Sequence, residues 1–195
     1  MNIELSETCR ICKREKAYTA SEYPLKNGVA CAECSDKASE YFHIYYDNYA
    51  NARPTPGQMK DNIAFMRQNK KRFETFSPKA DSAKYTADTL ILVDYQHRMI
   101  AFFPTDCSEK RISADIERFE REKNCEIFMF EDLKDANLLN SVNSDERFIM
   151  IGLKAAAPGY PSVILTQRAV DGSENSDMDE LSQLLGLVLQ SRRQK

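Results

Sequence analysis

Residues 9–34, CRICKREKAYTASEYPLKNGVACAEC, decide how this chain is read. Cys9 and Cys12 form one C-x2-C pair, and Cys31 and Cys34 form a second after eighteen intervening residues. A two-residue spacer lets both sulfurs of a pair turn toward one ion while nearby backbone amides bond to them. Two such pairs supply four thiolates, which suit closed tetrahedral Zn2+ and leave no position for a reacting water. The expected metal ligands are therefore Cys9, Cys12, Cys31 and Cys34, and the expected role of the zinc is structural. The competing readings are disulfides, a redox C-x-x-C and an iron site. Disulfides need an oxidising compartment, whereas the opening MNIELSETCR carries no apolar signal-type stretch, so a cytoplasmic location is expected. A thioredoxin-like motif occurs once, in a βα context, rather than twice in a short module.

Outward from the cysteines, Cys9–Cys12 reads as a knuckle and residues 16–29 as a short hairpin. Asn27-Gly28 is its turn or the lead-in to the second pair. Ser35 and Asp36 are helix-starting residues, so a helix over 35–50 is expected to follow Cys34. Knuckle, hairpin and a helix bearing the last ligands make a treble-clef arrangement. His43 lies on that helix, but four thiolates already fill the metal, so it is not expected to be a ligand. Tyr41, Phe42, Tyr45, Tyr46 and Tyr49 form a wide apolar stripe there. They read as core or interface rather than a base-stacking surface, which needs neighbouring cations.

Thr55-Pro56-Gly57-Gln58 starts a second helix, with Thr55 as cap, Pro56 in the first helical position and Gln58 completing a capping box. Met59, Ile63, Met66 and Phe73 mark its inner face. Lys60, Arg67, Lys70, Lys71 and Arg72 make it the best electrostatic candidate for an acidic partner, a lipid headgroup or nucleic acid, although a solvated helix face explains them as well. Ser77-Pro78 ends the helix. The pattern then turns to β: strands are expected at 89–93 and 99–103 around a 94–98 turn, at 126–130, and as a pair at 148–153 and 162–167. An amphipathic helix is expected over 112–123. His97, at the hairpin tip, reads as surface. A last helix opens with a Ser176/Asp179 capping box and repeats apolar residues from Met178 to Leu189. Several antiparallel strands closed by a C-terminal helix outline a small α+β barrel or sandwich.

The 195 residues suit a small module plus an ordinary domain, and no apolar run is long enough to span a bilayer. The net charge of −3 argues against a general nucleic-acid binder. Residues 1–80 carry +3 and the remainder −6, and four thiolates around one Zn2+ would nearly cancel the first excess.

The cysteine segment, the helix after it and residues 70–94, KKRFETFSPKADSAKYTADTLILVD, together resemble a bacterial family. Its members carry an N-terminal treble-clef zinc finger of unknown function. The matching positions are Cys9, Cys12, Lys26, Gly28, Cys31 and Cys34, then Phe76, Leu92, Val93 and Asp94. In many members the following segment is a pleckstrin-homology-like barrel; FMFEDLKDANLL, the strands near Ile149 and Ile164 and the closing helix fit that order. The resemblance implies a finger at 1–50, a helical linker at 51–80 and a pleckstrin-homology-like domain at 81–195. Many relatives have a glycine-rich apolar insertion where this chain has only the short loop 140–146, so a membrane role for that insertion is not expected.

The expected function is a zinc-binding, non-enzymatic interaction scaffold with a protein partner. The alternatives are lipid or membrane-surface binding through the barrel and nucleic-acid binding through the finger. After residue 84 no basic cluster exceeds Lys110-Arg111, which is thin support for an anionic-lipid site. No nucleophile elbow, phosphate loop or H-E-x-x-H occurs, so no enzyme is expected. Cys107 and Cys125 read as small buried hydrophobes rather than a nucleophile served by His97. Asp106, Glu109 and Asp115 read as solvated surface.

Overall fold

Short β pairs and turns carry the first part of the chain because its apolar runs are short and its sulfurs must converge. The computed structural model describes residues 6–17, 22–86, 88–105, 111–123, 125–140, 146–154, 160–168 and 175–191. Two compact units divide the chain: Met1–Gln68 with Pro158–Tyr160, and Asn69–Ala157 with Pro161–Lys195.

In unit 1, β1 (Ser6–Thr8) and β2 (Glu15–Ala17) pair antiparallel and flank the first cysteine pair. β3 (Tyr23–Leu25) and β4 (Gly28–Ala30) form a second hairpin. Leu25 pairs with Gly28, so the turn residues are Lys26 and Asn27, and Gly28 opens the return strand. Gly28 has φ +119°, and a Cβ there would lie 2.7 Å from Arg10 Nε, so both backbone and space call for glycine.

The single helix expected over 35–50 is instead two. α1 (Ala32–Ser35) begins at Cys31 and already contains Cys34. α2 (Glu40–Ile44) begins after Ser39, whose hydroxyl accepts from Phe42 N at 3.0 Å, and continues as a π-helical turn through Tyr49. The break has a hydrogen-bonding cause. Ser39 N–H donates to the buried Asn62 side chain (2.9 Å) rather than to a carbonyl one turn back. The Ser35 carbonyl accepts instead from Ala38 N and His43 Nε2. Tyr41 and Phe42 are buried, while Tyr45, Tyr46 and Tyr49 are half-buried. Tyr160 is also part of unit 1, where its ring stacks on Tyr45 with centroids 5.5 Å apart. The aromatic stripe is therefore packing, as expected.

α3 (Pro56–Thr75) starts as its sequence requires: Thr55 N donates to Gln58 Oε1 (2.8 Å) and Gln58 N to Thr55 Oγ1 (3.2 Å). The boundary between the two units falls within this helix, after Gln68.

Unit 2 holds two antiparallel sheets. The first has order β5 (Ala83–Tyr85), β6 (Thr89–Asp94), β7 (Met99–Pro104), β8 (Glu126–Met129), with α4 (Ile112–Glu122) between β7 and β8 in sequence. Every residue of β6 and β7 is buried, which explains their unbroken apolar runs: both faces of this sheet are covered. One face packs Leu90, Leu92, Ala101, Phe103 and Ile127 with Phe76 and Phe119. Opposite lie Ile91, Val93, Ile100, Phe102 and Phe128, each at most 1% exposed.

The second sheet has order β11-β10-β9, from β9 (Leu133–Asn140), β10 (Glu146–Leu153) and β11 (Ser162–Arg168). α5 (Asn175–Ser191) follows, with Leu181, Leu184, Leu185 and Val188 buried. Among the described residues the strands form separate four- and three-stranded sheets and do not close into the expected barrel. The helix starts at Asn175, one residue before the anticipated cap Ser176, whose side chain lies outside the described residues.

Candidate metal centre

The knuckle and α1 bring the four sulfurs together. All four Sγ atoms lie within 4.8 Å of one another, and Cys12 Sγ is 3.9 Å from Cys31 Sγ. Tetrahedral zinc with bonds of about 2.3 Å separates its sulfurs by about 3.8 Å, so this spacing is that of ligands around one ion. A disulfide brings sulfurs to about 2.05 Å; the four cysteines are free thiols. Cys9, Cys31 and Cys34 are at most 4% exposed, and Cys12 is half-buried.

The surroundings favour a thiolate at Cys9. Its sulfur accepts from Ile11 N (3.4 Å) and Cys31 N (3.3 Å). Burial pushes its pKa up, but the backbone N–H groups of Cys31, Cys12 and Ile11 outweigh that and bring it down to about 6. Burial and neighbouring sulfurs push Cys34 up to about 12, and Cys31 is raised chiefly by burial. The raised Cys31 and Cys34 thiols hold their protons until a cation neutralises the charge, which is the logic of a closed thiolate site. The donor set fits a metal ion, and four thiolates suit zinc.

His43 stays out of the cluster. Its Nε2 lies 3.2 Å from Ser35 O, and its ring meets Tyr23 edge-on with centroids 4.5 Å apart. Of the basic stretch on α3, Lys60, Arg67, Lys70 and Lys71 are exposed. Arg72 turns inward: its guanidinium donates to Ile127 O and pairs with Asp132 at 3.2 Å. One of the five expected surface cations thus serves the fold. Cys125 is buried with no exposed surface, while Cys107, Asp106 and Glu109 lie outside the described residues. Asp115 accepts from Tyr85 OH at 2.6 Å.

His97 is not a simple surface residue. Its Nδ1 lies 2.7 Å from Asp94 Oδ2, and Asp94 also accepts from Ser77 N (2.8 Å) and His97 N (3.0 Å). The sequence hid this pair because a residue three positions back becomes a partner only once the 95–98 turn folds. Burial raises the Asp94 pKa, but the Ser77 and His97 donors reverse that and leave it below the ordinary 3.8. A depressed folded-state pKa stabilises the fold above the unfolded value, and that stability is lost as pH falls through the folded one. Wild-type stability is therefore expected to fall below about pH 3.8. Asp94→Asn should flatten that loss and cost roughly 1.5–3 kcal/mol at neutral pH, both read from urea unfolding at pH 7 and pH 3.

Among the described residues no helix is long and apolar enough to cross a membrane. No family model, curated protein or solved structure matches the chain.

Proposed function

We propose that the protein is a zinc-stapled, non-enzymatic scaffold that binds another protein in the cytoplasm. In this reading residues 1–50 are a treble-clef finger, 51–80 a helical linker and 81–195 a pleckstrin-homology-like domain, as in the bacterial family the sequence resembles. The observation that carries it is the closed set of four sulfurs, which suits a metal that folds a module and not one that performs a reaction. The order of unit 2 supports the pleckstrin-homology-like assignment: four antiparallel strands with a helix between the third and fourth, then three antiparallel strands, then a helix. The inward turn of Arg72 weakens the anionic-surface alternative.

The test is capture from host cells with the intact protein and with a variant carrying serine at Cys9, Cys12, Cys31 and Cys34. A protein partner held by the first and lost by the second is the expected result. Capture of lipid or nucleic acid alone, or of nothing above background, overturns the scaffold reading.

A further inference from the structure

Unit 2 holds a cleft of about 340 Å³ with two walls of different chemistry. One wall is the strap from Ser77 to Ser82, which precedes β5. It is pinned at both ends: Ser77 N donates to the buried Asp94, and Ser82 Oγ lies 2.9 Å from both Lys79 O and Val93 O. Lys79 and Asp81 project from this fixed strap and both line the cleft. Among the described residues neither side chain has an ion-pair partner, and they do not pair with each other. Asp94 also lines the cleft, but its charge is already committed to three donors.

The other wall is apolar. Leu184 and Val93 line it, and Tyr95, 49% exposed, stands at the β6–β7 turn. On α5, Glu180, Leu184, Leu187 and Ser191 share one stripe at spacings of four, three and four. Glu180 pairs with Lys84, and the Ser191 carbonyl accepts from Arg98.

A cleft at the small end of the ligand-site range, with one unpaired cation, one unpaired anion and an apolar wall, matches a small zwitterion with a bulky apolar side chain. We infer that it binds a free apolar α-amino acid, with the carboxylate on Lys79, the ammonium on Asp81 and the side chain against Leu184 and Tyr95. Exposed unpaired charges alone would carry little; the pinned strap adds pre-organisation, so that binding need not order the wall.

The experiment is calorimetric titration of the full chain with L-leucine, N-acetyl-L-leucine and L-leucinamide. Leucine is expected to bind, and masking either end to weaken binding by at least about tenfold. Lys79→Met should erase the discrimination against leucinamide, and Asp81→Asn the discrimination against N-acetyl-leucine. Both residues are exposed, so neither variant threatens folding. No binding of leucine at about 10 mM, or equal binding of all three compounds, overturns the inference. So does unchanged discrimination in the two variants.

Discussion

Cys31→Ser is expected to release the metal and unfold unit 1 while unit 2 keeps its structure. Cys31 is both a proposed ligand and, through its N–H, a donor to the Cys9 sulfur, and it is 4% exposed. The strands of unit 1 are three residues long and its first two helices four and five. Such elements bury little apolar surface by themselves. Structural zinc in a small finger supplies roughly 10–16 kcal/mol, comparable to the whole stability of an ordinary domain, about 5–15 kcal/mol. Serine leaves three sulfurs and a poor fourth donor, so most of that binding energy is lost. Unit 2 has its own core around Leu90, Leu92, Phe103 and Phe119 and has no need of the metal. Limited proteolysis with zinc quantification reads both effects: cleavage within residues 1–68, a protected C-terminal fragment, and zinc released at lower chelator concentration. A variant that keeps its zinc and its protection contradicts the assignment.

Asn69→Leu should destabilise unit 2 by roughly 2–5 kcal/mol although it replaces a buried side chain by one of similar size. Asn69 is 1% exposed, and its amide works as a short piece of strand. Nδ2 donates to Cys125 O at 2.6 Å, and Oδ1 accepts from Ile127 N at 3.1 Å. β8 is an outer strand of its sheet, so these backbone groups have no neighbouring strand on that side. Leucine removes the two hydrogen bonds that Asn69 makes to the Cys125 carbonyl and the Ile127 N–H, each loss costing about 1–3 kcal/mol. Urea unfolding should show a lower midpoint with an unchanged slope. A change below about 1 kcal/mol would mean that the amide is not what covers the edge.

The parts legible in the sequence are those fixed by local chemistry. Cysteine spacing foretold the sulfur cluster because two-residue spacers constrain the backbone wherever they occur. Thr55 and Gln58 foretold the start of α3 because a capping box is complete within four residues. The β6–β7 hairpin was legible as two apolar runs around a polar turn, and α4 from its apolar period. What was missed depends on distant partners. The break between α1 and α2 rests on Asn62 capturing Ser39 N, a contact across twenty-three positions. Arg72 reads as a surface cation until β8 presents the Ile127 carbonyl. β9, LKDANLLN, lacks alternation because it is an outer strand with Asn137, Leu138 and Leu139 exposed, so its pairing with β10 left no pattern to read. Tyr160 gave no sign that it packs with the aromatics of α2, more than a hundred residues earlier.

The most direct test of the central claim is zinc quantification and X-ray absorption at the zinc edge on the protein as purified. One zinc per chain in a shell of four sulfurs at about 2.3 Å is the predicted result. Zinc well below one per chain, or a shell containing nitrogen or oxygen, would contradict it.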